Sequence, residues 1–169
     1  MVTVVLRAAF LTLVLFWSAG PAFSRDIEAP TLAGKWTNTE PPINLVHIEL
    51  GEINLRGEAV GYHHRPNGLN PPGAQVLRIA QPPDARGVYR ARVALRDPAT
   101  DAWVQKKAAS TFFPDAMSPS EVIAAILTAF RHGQAGNSGQ FVGPSGSGFA
   151  IEGWYQNGRI NAAYPLRDP

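Results

Sequence analysis

The sequence predicts an α+β domain, and three stretches of it make the case. VYRARVAL, residues 88–95, alternates: Tyr89, Ala91, Val93 and Leu95 share one face, Arg90 and Arg92 the other. That two-residue period belongs to a strand with one buried side. SPSEVIAAILTAFRHG, residues 118–133, is a helix with both ends marked. FAIEGWYQ and INAAYPL, joined by the tight-turn residues NGR, read as two antiparallel strands. One helix among mostly antiparallel strands is the α+β pattern.

In chain order, residues 1–24 read as a signal peptide. Arg7 precedes an apolar run from Ala8 to Trp17, and Ala22 and Ser24 suit positions −3 and −1 of a cleavage site. The run is shorter than the roughly 20 apolar residues of a membrane span, and Gly20-Pro21 interrupts its continuation. The expectation is a secreted or periplasmic protein with no membrane attachment after cleavage. With no cysteine, the chain has no site for lipid attachment, no disulfide and no thiolate metal ligand.

Residues 25–42 are rich in turn formers and read as a leader before a domain over 43–169. NLVHIELGEINLRGEAVGYHHRP follows, its short apolar runs cut by Gly51, Gly57 and Gly61, as irregular structure or short strands. NGLNPPGA is a loop, VLRIAQ a short strand and PPDARG a turn. After VYRARVAL, the turn RDPATD leads to a returning strand, AWVQKKAASTFF, residues 102–113. Strand alternation puts Lys106 with Ser110 on one face and Lys107 with Thr111 on the other. In the helix, Ser118 is the N-cap, Pro119 takes the first position and Glu121 completes a capping box. Met117 and Val122 form a hydrophobic staple, and Val122, Ile123, Ile126, Leu127 and Phe130 make the apolar stripe. Gly133 ends the helix, and His132 in its last turn reads as a surface residue. QAGNSGQFVGPSGSG, residues 134–148, reads as a Gly/Ser loop.

The formal net charge of +2 falls to about +1 without Arg7, so charge alone indicates no anionic partner. Its distribution is more interesting. Arg65, Arg78, Arg86, Arg90, Arg92 and Arg96 crowd the central segment, either framing a basic face or standing solvated on a sheet.

Reactive groups lie in three separate pieces: His47 in VHIELGE, His63 and His64 in GYHHRP, and Lys106 and Lys107 in WVQKKAAST. A zinc site is disfavoured, because no third ligand is spaced near His47 and His63 and no H-x-x-x-H pattern is present. Two histidines can instead act as base and acid near neutral pH, with a lysine offsetting charge on a phosphorane. That equipment cleaves RNA through attack by its own 2′-OH. The residue types alone leave histidines in a polar turn as the alternative.

The stretches HIELGEINLRGEAVGYHH, GVYRARV, WVQKKAASTFFPDAMSPSEVIAAI and AAYP, in this order, resemble the bacterial EndoU family, uridylate-preferring RNA endonucleases. The likeness spans about residues 43–166. It implies an EndoU-like fold, with a helical or irregular N-terminal part, then a twisted antiparallel sheet with a packed helix. It also implies cleavage of single-stranded RNA to 2′,3′-cyclic phosphate ends, with no cofactor required and manganese dependence open. By that likeness His47 and His63 are the acid–base pair and Lys106 the catalytic lysine, with Lys107 the alternative. Tyr164 stacks on or orients the nucleotide, Ser110 and Thr111 are candidate base contacts, Arg65 a phosphate contact and His64 a support for His63. Ala162 stands where the family usually has threonine or serine, which puts the uridine preference in question. Relatives that are toxin tips imply a role as an antibacterial toxin with an immunity protein. A periplasmic scavenging ribonuclease, and an inactive binding module on the same fold, are the alternatives. The chain is expected to act as a monomer.

Overall fold

In the computed structural model, residues 34–168 are described; the expected signal peptide and the first part of the leader lie outside them. The elements run α1 (Leu45–Glu49), β1 (Glu52–Ile53), β2 (Ala59–Val60), β3 (Ala74–Gln81), β4 (Tyr89–Arg96), β5 (Trp103–Gln105), β6 (Ser110–Phe112), α2 (Pro119–His132), β7 (Gln134–Ala135), β8 (Gln140–Pro144), β9 (Ala150–Gln156) and β10 (Arg159–Leu166). All strand pairs are antiparallel, so the class is α+β.

Two sheets carry the frame. One has the order β3-β4-β5, with β6 also paired to β4; the other runs β10-β9-β8-β7. Tyr89, Ala91, Val93 and Leu95 of β4 are all buried, as the alternation requires, and pack with Tyr62, Ala74 and Phe112. A second core joins α2 to the other sheet through Val122, Ala125, Ile126, Ala129, Phe141, Ile151 and Ile160. The capping box at Ser118 and Glu121 is present, and Gly133 is the C-cap. Ala125 and Ala129 lie at the centre of the buried face, while Ile123, Leu127 and Phe130 flank it partly buried.

The Gly/Ser stretch 134–148 departs from expectation, since it contains β8, which pairs with both β7 and β9. Its glycines serve close packing. A Cβ on Gly143 would overlap the Ala129 carbonyl oxygen of α2 and the backbone of Gly133, so the bare strand lies directly against the helix. Gly143→Ala should therefore cost about 2–3 kcal/mol or more, read as a lower urea midpoint at unchanged m-value.

AWVQKKAASTFF also differs, splitting into β5 and β6. Gln105 pairs with Ala94 and Ser110 with Ala91, so two extra residues bulge out between the strands. Both lysines sit in that bulge. The described part of the expected leader is tied to the domain: Leu45 donates to the Lys35 carbonyl, and Trp36 bridges to Asn44.

Candidate active site

The site forms at the end of α1, where the backbone after β2 folds back onto it. The amides of Tyr62 and His63 donate to the carbonyls of His47 and Ile48, at 2.8 and 2.7 Å. Gly61 and Tyr62 make this possible with φ of 76° and 61°. A Cβ at Gly61 would overlap the His47 carbonyl oxygen, so glycine is required there. Tyr62, a bulky residue in the left-handed region, is held by full burial and by a hydrogen bond from its hydroxyl to Asn70. The result is that the rings of His47 and His63 stack, with centroids 5.9 Å apart.

Each ring is held through Nδ1. His63 Nδ1–H donates to the Thr111 carbonyl at 2.8 Å, which leaves Nε2 unprotonated when the ring is neutral. Burial holds this imidazole well below its ordinary range, and nearby Lys106 and His47 add to the effect. His47 Nδ1–H donates to Glu52 at 3.1 Å. Glu52 also accepts from Asn44 at 3.0 Å and Lys35 at 2.8 Å. The His47 hydrogen bond, with Lys35 assisting, holds the Glu52 carboxyl down at about 2 against the opposing effect of burial. Asn44 does double duty, its Oδ1 capping α1 by accepting from the His47 amide.

Lys106 Nζ donates to the Gly61 carbonyl at 2.9 Å and to Ser110 Oγ at 2.8 Å, and burial lowers its ammonium to about 8. Lys107 points elsewhere, exposed and ion-paired with Glu58 at 2.6 Å. On the far side of His63, Tyr164 stacks at 5.2 Å. Its hydroxyl donates to Glu152 at 2.8 Å, and burial and that carboxylate push its ionisation up.

Three expected site residues take other positions. His64 is fully buried, with Nδ1 on Glu49 and Nε2 on the Met117 carbonyl, so both nitrogens are spent inside the fold. It neither supports His63 nor meets solvent, because its ring is enclosed between Glu49 and the Met117 carbonyl. Arg65 is occupied by the Gly68 carbonyl and by Asp115, which uses the guanidinium to close a surface turn rather than to hold a phosphate. Thr111 contributes its carbonyl to His63, while its side chain lies on the opposite sheet face from Ser110. Ser110 is buried and holds Lys106.

Glu52, Asn44, Lys35, Trp154 and Glu152 were not picked out from the sequence. Glu52 alone had a signal, as the last residue of HIELGE. Trp154 is paired across the sheet with Ala162 and lies 5.8 Å from Tyr164, and Gln140 donates to Glu152 beside it. These side chains form one partly exposed face next to His63. Among the described residues no three His, Asp or Glu side chains gather as a metal-ligand set.

A stacked histidine pair beside a buried lysine is the equipment of a nuclease that moves protons at a phosphodiester. Residues 44–167 match the family model of the bacterial EndoU nuclease, and the chain belongs to that family. A protein of Bacillus cereus named "Toxin" is 35% identical over 129 residues, covering 73% of this chain and 22% of that protein. The chain thus spans about a fifth of the relative's length. No solved structure matches it.

Proposed function

We propose that this nuclease is an endoribonuclease, cleaving single-stranded RNA by attack of the 2′-OH on the adjacent phosphodiester. The observation that carries the reading is the stacking of His63, whose Nδ1 is held by the Thr111 carbonyl, on His47, whose Nδ1 is held by the Glu52 carboxylate. His63 Nε2 takes the 2′-OH proton, and O2′ bonds to phosphorus. His47 Nε2 gives its proton to the departing 5′ oxygen, leaving a 2′,3′-cyclic phosphate and a 5′-hydroxyl. Glu52 stays ionised and keeps the His47 ring oriented with Nε2 outward. Lys106 places its ammonium where charge gathers on the phosphorane oxygens.

Tyr164 and Trp154 offer stacking faces for bases, while Ser110 is buried and spent on Lys106 and the Gly61 carbonyl. Uridine preference stands as part of this proposal, with Ala162 lacking the hydroxyl that would assist it. Bacillus cereus "Toxin" supports a toxin role, and an immunity protein follows from that role. Export by residues 1–24 and action as a monomer belong to the same proposal, in which no metal is required and any response to manganese is read by the assay below.

The deciding experiment is incubation of the mature chain with a uridine-containing oligonucleotide in EDTA, then with manganese. Cleavage to cyclic-phosphate ends supports the reading; intact RNA under both conditions overturns it in favour of an inactive binding module. The pH profile provides a second check. Lys106 acts when charged, and burial lowers its ammonium to about 8, so its loss of charge should lower kcat/KM above that pH. Because His63 stays neutral well below its ordinary range, the acidic limb should lie lower than for a free imidazole. Lys106→Arg should remove the share of the alkaline fall that Lys106 contributes, leaving the share set by the general acid.

A further inference from the structure

Beyond the site, β4 presents a row of arginines on the sheet face opposite its core. Arg90 pairs across to Gln81 on β3 and Thr111 on β6, and Arg92 pairs with Arg78. Near Arg90, a cavity of about 240 Å³ is lined by Gln81, Arg90, Thr111, Leu166, Arg167 and Asp168. The Nε atoms of Arg90 and Arg167 are buried there without a hydrogen-bond partner among the described residues. Among the described residues Arg78, Arg90, Arg92 and Arg167 have no carboxylate partner; Arg92 donates to the Lys107 carbonyl and Arg167 to the Asp168 carbonyl, both at 2.8 Å, contacts that leave the charges unneutralised. Among the described residues lining the cavity, Asp168 is the one carboxylate, and it is exposed.

This cavity is connected to the active site by two short paths. Leu166 lies two residues beyond Tyr164 on β10, about 7 Å along the strand and on the same side. Thr111 holds His63 through its carbonyl and also lines the cavity. A strand of RNA seated on Tyr164 and continuing along β10 therefore meets the two guanidiniums next.

We infer that the Arg90–Arg167 cavity is a second phosphate subsite, binding a backbone phosphodiester of the RNA that flanks the one being cleaved, with Arg92 and Arg78 extending the track. The inference rests on the RNA-cleavage reading above. Guanidinium forks suit phosphate oxygens, and contact with the backbone carries no base preference.

The test measures binding of 2′-deoxy oligonucleotides, which cannot be cleaved, by fluorescence anisotropy at several salt concentrations. A trinucleotide is compared with a decanucleotide for the wild-type chain, Arg90→Gln, Arg167→Gln and Arg90→Lys, each checked for an unchanged melting temperature. Wild type should bind the longer strand more tightly. Each Gln variant should lose most of that gain, at least about tenfold, and lower the salt slope by about one. Arg90→Lys should recover part of it. Equal length dependence and salt slope in all four proteins would overturn the subsite, as would a wild type that gains nothing with length. Failure of wild type to cleave RNA is read separately and bears on the catalytic reading alone.

Discussion

His63→Ala should lower kcat/KM for RNA cleavage about 10²- to 10⁴-fold, the range general acid–base groups supply. His63 is the group whose surroundings most favour a base. Its Nδ1–H is committed to the Thr111 carbonyl, and burial with the nearby Lys106 and His47 keeps the ring neutral. His47→Ala should produce a loss of similar size, and the double variant little more than either single one, because acid and base act in one transition state. A multiplicative double-variant effect would sink the paired assignment. Melting curves guard against a trivial cause, since His63→Ala also leaves the Thr111 carbonyl without its donor.

The second large effect separates two neighbouring lysines. Lys106→Ala should reduce kcat about 10²- to 10³-fold, as expected when a charge aimed at a developing oxyanion is removed. Lys107→Ala should stay within about twofold of wild type. Lys107 lies on the surface with Glu58, a pair worth little in solvent, whereas Lys106 is held by Gly61 and Ser110. Single-turnover rates on one uridine-containing oligonucleotide read both. Equal losses, or a larger loss at Lys107, would refute the placement of the charge. Ser110→Ala should fall between them, since it frees Lys106 without removing it.

Local patterns were the most legible part of this chain. The capped helix at Ser118, the buried face of β4 and the NGR turn each rest on residues a few positions apart, so spacing alone predicts them. The Gly/Ser stretch 134–148 misled because glycine has two uses, and composition cannot tell a turn from a strand lying bare against a helix. Gly143 is the second kind. The break in 102–113 was hidden for a related reason: alternation was kept across two extra residues, so Lys106 still meets Ser110 although the strand is interrupted.

By itself, the sequence determined the α+β class, the elements and the short roster of reactive residue types, and its motif order pointed to the family that residues 44–167 match. Only the tertiary structure decided what each reactive residue faces. Two adjacent histidines have the same chemistry in a string of letters. Once Gly61 and Tyr62 turn the backbone onto α1, His63 stacks on His47 while His64 is sealed between Glu49 and Met117. Trp154 and the meeting of Arg90 with Arg167 at one cavity were invisible for the same physical reason. A side chain's protonation and partners depend on burial and on groups brought from distant parts of the chain, and folding alone brings them together.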